Sequence, residues 1–205
     1  MNIVTAFDKI TSAFLAQSGL EIVAVICAVL YLILVVRENI WCWIFAFVST
    51  ALFIYLFHEG ALFSESLLNV YYLVMAVYGW RQWLNKTGKK EIEIHYWSNK
   101  AHVLIAIGTV ALTPVVGYLM ASIGASFPYL DAFIAILSVA ATIMVTRKVF
   151  ENWYYWLLID TLSIYLFWQK QYYFVAALYV AYIVLIFIGI KAWKKTMLLQ
   201  KQGVN

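Results

Sequence analysis

Charge is scarce in this chain: only 12% of its 205 residues are Asp, Glu, Lys or Arg, against 65% hydrophobic. A mean hydropathy of +0.86 over that length marks an integral membrane protein, because a soluble fold could not hide so much apolar surface. Apolar runs take up nearly all of the chain, which excludes a soluble catalytic domain. Cysteine is sparse too. Cys27 and Cys42 lie in or beside apolar segments, at a spacing that fits no metal or redox motif, so both read as small buried hydrophobes. The three histidines, His58, His95 and His102, fall in loops or at the edge of an apolar run. With no histidine at membrane depth and no suitable Ser–Lys pair, an intramembrane enzyme lacks its reacting groups. No enzyme activity, cofactor or metal site is expected. Residues 1–18 lack a basic start and a compact apolar core, so no cleavable signal peptide is expected. The net charge of +4 implies no nucleic-acid partner, since the basic residues flank apolar runs.

Aromatic residues, by contrast, are abundant at 18%. Trp41, Trp43, Trp80, Trp83, Trp153, Trp156, Trp168 and Trp193 cluster near the ends of apolar runs, where indoles anchor in the headgroup region. Those runs cover about 20–36, 41–57, 61–80, 101–120, 129–146, 153–168 and 172–191, most near the ~17–25 residues a span requires. Seven transmembrane helices are therefore expected. Ile3, Phe7, Ile10 and Phe14 recur at helical spacing, which suggests an interfacial helix over 1–19. If the N-terminus is on one side, that side carries only Lys9 and Lys170. The other carries Arg37, Arg81, Lys86, Lys89, Lys90, Lys100, Arg147, Lys148, Lys191, Lys194, Lys195 and Lys201. The positive-inside bias then puts the N-terminus outside and the C-terminus in the cytoplasm.

The chain also repeats itself. Shifting it by 110 sets Arg37 on Arg147, Trp43 on Trp153, Ile54-Tyr55-Leu56-Phe57 on Ile164-Tyr165-Leu166-Phe167, Tyr72 on Tyr182, Gly79 on Gly189 and Trp83 on Trp193. About 15 of 53 aligned positions agree between 31–83 and 141–193. Three helices is an odd number, so an extra helix must restore the direction of the second unit. The expected fold is all-α, with two parallel three-helix repeats in a 3+1+3 arrangement. The expected units are a first repeat over 20–83, a cytoplasmic loop and linker helix over 84–127, a second repeat over 128–193, and a basic tail over 194–205. The loop at 84–100 reads as a linker lying along acidic lipid. Parallel repeats enclose a central path, the sequence mark of an alternating-access carrier.

Polar residues within spans are costly and point to that path. Glu65, Asn69, Tyr72, Ala76 and Gly79 form one helical stripe; Trp153, Trp156, Asp160 and Ser163 form a second; Asp131, Ala135, Ser138 and Thr142 form a third. The candidate substrate-binding set is Glu65, Asn69, Tyr72, Ser138, Thr142, Trp153, Trp156, Asp160 and Tyr179, with Asp131 and Trp80 as gate or cap candidates. Asp131 follows Phe127-Pro128 at a helix start, where a carboxylate also suits the helix dipole, and Glu21 is its repeat partner. Asp160 is too deep for a cap, and its repeat partner is the uncharged Thr50. Ser138 and Thr142 also suit bonding to the preceding turn or close helix packing, and Tyr72 with Tyr182 also suit bundle packing. Aromatic faces beside a carboxylate suit an aromatic small molecule and leave room for a positive charge on it.

Taken together, Phe63-Ser64-Glu65, Leu68-Asn69-Val70-Tyr71-Tyr72 and Tyr78-Gly79-Trp80, then Phe127-Pro128-Tyr129-Leu130-Asp131-Ala132, then Arg147-Lys148 with Glu151-Asn152-Trp153-Tyr154-Tyr155-Trp156 and Asp160, resemble the PnuC family of nicotinamide riboside transporters. The similarity covers about 20–193. The resemblance implies a bacterial inner-membrane carrier with a fold similar to SWEET sugar transporters. It implies uptake of nicotinamide riboside, a vitamin B3 form, by facilitated diffusion, with cytoplasmic phosphorylation trapping the solute for NAD biosynthesis. A flat pyridinium cation would match the aromatics, and ribose hydroxyls would match Asn69 and the carboxylates. One departure is visible: Ala46 and Thr50 stand where the second repeat has Trp156 and Asp160, which implies an asymmetric site. A related flat cationic vitamin such as thiamine, or proton-coupled symport through Asp160 or Glu65, are the alternatives. The expected partners are the small-molecule substrate and the lipid bilayer; aromatic outer faces allow a homo-oligomer without requiring one.

Overall fold

A computed structural model describes residues 18–59, 63–84 and 92–202. They form seven α-helices: α1 (Gly19–Val36), α2 (Cys42–Glu59), α3 (Phe63–Trp83), α4 (Asn99–Ser122), α5 (Pro128–Thr146), α6 (Asn152–Gln169) and α7 (Tyr173–Lys201). Each apolar run of the sequence thus has its helix. The interfacial helix expected over 1–19 lies outside the described residues, apart from Ser18 and Gly19, which start α1. The basic segment after Trp193 continues α7 as helix through Lys201 rather than leaving it as a tail.

Local chemistry sets several helix starts. Ser18 and Glu21 form a capping box at α1, each side chain bonding the other's backbone N–H. Before α2, the Asn39 side-chain oxygen accepts from the Trp41 N–H at 2.9 Å and turns the chain. Phe127 holds a left-handed backbone (φ 58°), unusual for a bulky residue, and Pro128 then opens α5. No side chain caps α5, so Asp131 is not a hydrogen-bonding cap; its carboxylate has another partner, described below.

Five helices are long and apolar enough to cross a membrane by length and composition: α1, α2, α4, α5 and α7. The two others, α3 and α6, carry Glu65, Ser66 and Asn69, or Asp160 and Ser163, and this polar content lowers their hydropathy. Lipid-facing positions are plain on α4, where Leu104 and Val110 are each 72% exposed.

Helix contacts run α1 to α2 to α3, then α3 to α5, α5 to α6, α6 to α7, and α7 back to α1. Six helices therefore close a ring, and α4 packs outside it against α5. Positions 110 apart do the same structural work. A Cβ on Gly79 would meet the Trp43 ring at 2.4 Å, and one on Gly189 would meet the Trp153 ring at 2.4 Å. Trp43 stands edge-on to Trp83 (5.4 Å, 88°), as Trp153 does to Trp193 (5.3 Å, 86°). Both outer indoles then reach across the ring. Trp83 Nε1 donates to the Thr146 carbonyl at 3.1 Å, and Trp193 Nε1 donates to the Val35 carbonyl at 3.0 Å. Each bond reaches a carbonyl in the last turn of a helix, and the Val35 carbonyl also accepts from the Glu38 N–H at 3.0 Å.

The segment from Ile92 does not simply lie along lipid. His95 pairs with the α5–α6 turn, its N–H donating to the Lys148 carbonyl (3.2 Å) and its carbonyl accepting from the Phe150 N–H (2.8 Å). Ile94 is buried beneath it, and the Glu151 carboxylate accepts from the Trp97 N–H. Residues 85–91 lie outside the described residues.

Candidate functional site

The ring surrounds a partly open cavity of about 370 Å³, within the ~300–1,000 Å³ usual for small-molecule sites. Six helices contribute: Tyr31 from α1, Ser49 and Thr50 from α2, Asn69 and Tyr72 from α3, Thr142 from α5, Asn152, Trp153, Trp156 and Asp160 from α6, and Tyr179 and Tyr182 from α7. A smaller space of about 90 Å³ adjoins it and shares Asn69, Tyr72, Trp156 and Tyr179; Glu65, Asp131, Ser138 and Ser163 complete its wall. The candidate residues of the three polar stripes are therefore brought together.

Asp160 is 3% exposed, at the centre of α6. Tyr72, Tyr179 and Tyr182 lie within electrostatic reach of it. Neither an ion pair nor a hydrogen bond joins it to another described residue, and the wall of the larger cavity contains neither Lys nor Arg. A buried carboxylate without a cation of its own is an incomplete charge site. The tyrosines have partners: Tyr72 is hydrogen-bonded to Ser138, and Tyr179 to Ser163. Tyr179 also stacks on Phe167 (5.5 Å, 16°) and stands edge-on to Tyr182 (5.7 Å, 82°).

Three further polar atoms in the cavity-lining residues have no hydrogen-bond partner: Trp43 Nε1, Trp153 Nε1 and Asn152 Oδ1. Their residues are at most 2% exposed, so unpaired polarity here is costly without a guest or water. Thr142 bonds the Ser138 carbonyl one turn back (2.8 Å), and Asn69 bonds the Glu65 carbonyl (2.9 Å), which leaves the Asn69 side-chain oxygen for a ligand.

Glu65 and Asp131 are not free. Lys170 Nζ lies 2.9 Å from Glu65 Oε1 and 2.9 Å from Asp131 Oδ2, binding α3, α5 and the α6–α7 turn into one clasp. Burial works against the Lys170 ammonium, but hydrogen bonds and charge from the two carboxylates outweigh it and hold its pKa above the usual lysine value. Trp80 lines neither cavity; it stands edge-on to Trp41 (5.8 Å, 74°). At the opposite end, Lys148 Nζ meets Glu38 Oε2 at 2.9 Å and lies over the Trp83 ring at 5.0 Å. His102 bridges Tyr155 Oη and Glu151 outside the cavity. Among the described residues no cluster suits a metal ion.

Reading the residues had not singled out Tyr31, Ser49, Asn152 or Lys170 for the site. Lys170 carried no signal, because its partners lie 39 and 105 positions away. Asn152 stood only as part of a quoted motif.

A helical ring around a polar-studded cavity, with a lipid-facing exterior, has the form of a multi-pass membrane transporter of small molecules, and the family match places it among transporters rather than enzymes. The chain belongs to the family described as Nicotinamide mononucleotide transporter, whose model matches residues 18–195. Among curated proteins it is similar to the Nicotinamide riboside transporter PnuC of Escherichia coli (strain K12). The two are 28% identical over 200 residues, covering 84% of this chain and 82% of the relative. It is also similar to the Riboflavin/roseoflavin transporter RibM of Streptomyces davaonensis, 28% identical over 181 residues and covering 84% and 83% of the two chains. Its fold matches the crystal structure of the Vitamin B3 transporter PnuC with a TM-score of 0.73 at 21% identity, covering 95% of this chain and 90% of that one.

Proposed function

We propose that this chain carries nicotinamide riboside across the bacterial inner membrane by facilitated diffusion with alternating access. On this reading all seven helices span the bilayer as 3+1+3, with the N-terminus outside and the C-terminus in the cytoplasm. The Lys170 clasp is then at the outer end and the Glu38–Lys148 pair at the inner end. The observation that carries the substrate is the unpaired Asp160 amid Trp156, Tyr72 and Tyr179, in a wall without Lys or Arg. A flat pyridinium cation supplies the missing positive charge, and aromatic faces attract it by ~0.5–2 kcal/mol each. Asn69 and Thr142 suit carboxamide and hydroxyl groups. A phosphate would meet carboxylates and no cation here, which favours the riboside over the mononucleotide.

Riboflavin is the second reading, favoured by the similarity to RibM and by the same aromatic walls. Titrating purified protein with nicotinamide riboside, thiamine, riboflavin and glucose separates these readings. Tightest binding of nicotinamide riboside supports the first; tightest binding of riboflavin replaces it. Uptake into liposomes with and without a pH gradient tests the coupling. Accumulation above equilibrium only under the gradient overturns uniport in favour of proton symport.

A further inference from the structure

We infer that Lys170 and the Glu38–Lys148 pair control which end of the cavity is open, each by tying the two halves of the ring together at one mouth. The inference rests on the alternating-access reading but not on the identity of the solute.

The two clasps have the placement this role requires. At one end Lys170, in the α6–α7 turn, holds Glu65 at the start of α3, so it joins the half containing α1–α3 to the half containing α5–α7. It also holds Asp131 at the start of α5 and lies over Phe167 at 5.9 Å. At the other end Glu38, in the α1–α2 turn, meets Lys148, in the α5–α6 turn. These two residues are 110 apart, so they occupy the same position in the two repeats. Both have the same left-handed backbone, φ 53° and 52°. One position in a duplicated chain has therefore become an acid in one copy and a base in the other, and the two copies meet.

The α3–α5 and α7–α1 seams are where the halves touch, and the cavity lies between them. Helix α6, 18 residues or ~27 Å long, separates the clasps and carries Asp160 midway. On this reading a solute crossing the ring passes the level of both clasps, and each pair opens in turn. All five charged side chains are only 10–17% exposed, so water screens these pairs weakly.

The test uses full-length protein in oriented vesicles, with Thr50→Cys as a reporter in the cavity wall. The native Cys27 and Cys42 are buried and supply the background, measured without the reporter. A membrane-impermeant thiol reagent is applied from one side at a time. Lys170→Met should speed labelling from the Lys170 side, and Lys148→Met from the opposite side, each by roughly tenfold against the unaltered clasp. The double charge exchange Glu38→Lys with Lys148→Glu should return labelling toward the parent rate, whereas either single change should not. Conservative Lys148→Arg guards against misfolding and should stay near the parent. Retained monodisperse elution and labelling rates unchanged from either side in both methionine variants would overturn the inference. So would acceleration from both sides alike, which indicates general loosening. Because no solute is needed, this result is independent of whether nicotinamide riboside binds.

Discussion

Gly189 leaves the space that Trp153 fills: a Cβ on that glycine would lie 2.4 Å from the indole Cη2. The indole is wholly buried, walls the cavity, and braces Trp193 edge-on. Gly189→Ala should therefore push Trp153 off its position, costing ~1–3 kcal/mol of stability by overpacking. Gly79→Ala should do the same through Trp43. Thermal unfolding in detergent checks the cost. Gly189→Ala should also weaken ligand binding more than Gly79→Ala, because Trp156 and Asp160 follow Trp153 on α6. Equal binding losses would remove that asymmetry.

Asp160→Asn keeps size and removes charge. Binding of a cationic ligand should weaken by ~10-fold or more, a loss of at least ~1.4 kcal/mol. Binding of neutral riboflavin should change little. A titration of the variant with both ligands reads the difference, and an unchanged affinity for the cation would separate Asp160 from the ligand.

Trp193→Phe deletes the indole bond to the Val35 carbonyl in a fully buried setting, leaving that carbonyl with the Glu38 N–H at 3.0 Å. The expected loss is ~0.5–1.5 kcal/mol. Trp83→Phe, whose bond to the Thr146 carbonyl is only partly buried, should cost less. Calorimetric or fluorescence melts rank the two; the reverse order would mean that the bonds are not what the indoles contribute.

The cavity wall offers a phosphate no cation. Nicotinamide mononucleotide should displace bound riboside at least ~10-fold less well than unlabelled riboside does. Competition binding measures this directly, and equal potency would require a basic residue that the wall does not contain.

Under the proposed reading, in which all seven helices cross the bilayer, the termini lie on opposite faces. Tags at each end, probed for access in intact cells and in inverted vesicles, should be reached from different sides.

Much of this architecture is legible in the amino-acid order because the repeat carries it. Trp43, Gly79 and Trp83 recur as Trp153, Gly189 and Trp193, and each trio packs alike. Helical spacing on α6 put Trp153, Trp156 and Asp160 on one face, and they do share a cavity. Contacts between distant turns were not legible. Lys170 reads as an isolated loop charge until α3, α5 and the α6–α7 turn converge. Glu65 reads as open to a ligand for the same reason. The fold of Ile92–Trp97 onto the α5–α6 turn rests on backbone pairing, which side-chain patterns do not encode. The orphaned atoms of Trp43 and Asn152 appear only once packing has removed their alternatives.

The mismatch between Thr50 and Asp160 gives a nearly twofold scaffold a handedness in its charge. Under the parallel-repeat reading, moving the acid from α6 to α2 would swing the bound ring half a revolution about the pore axis. The same end of the solute would still lead, so such an exchange alters how the guest sits without reversing its direction of travel.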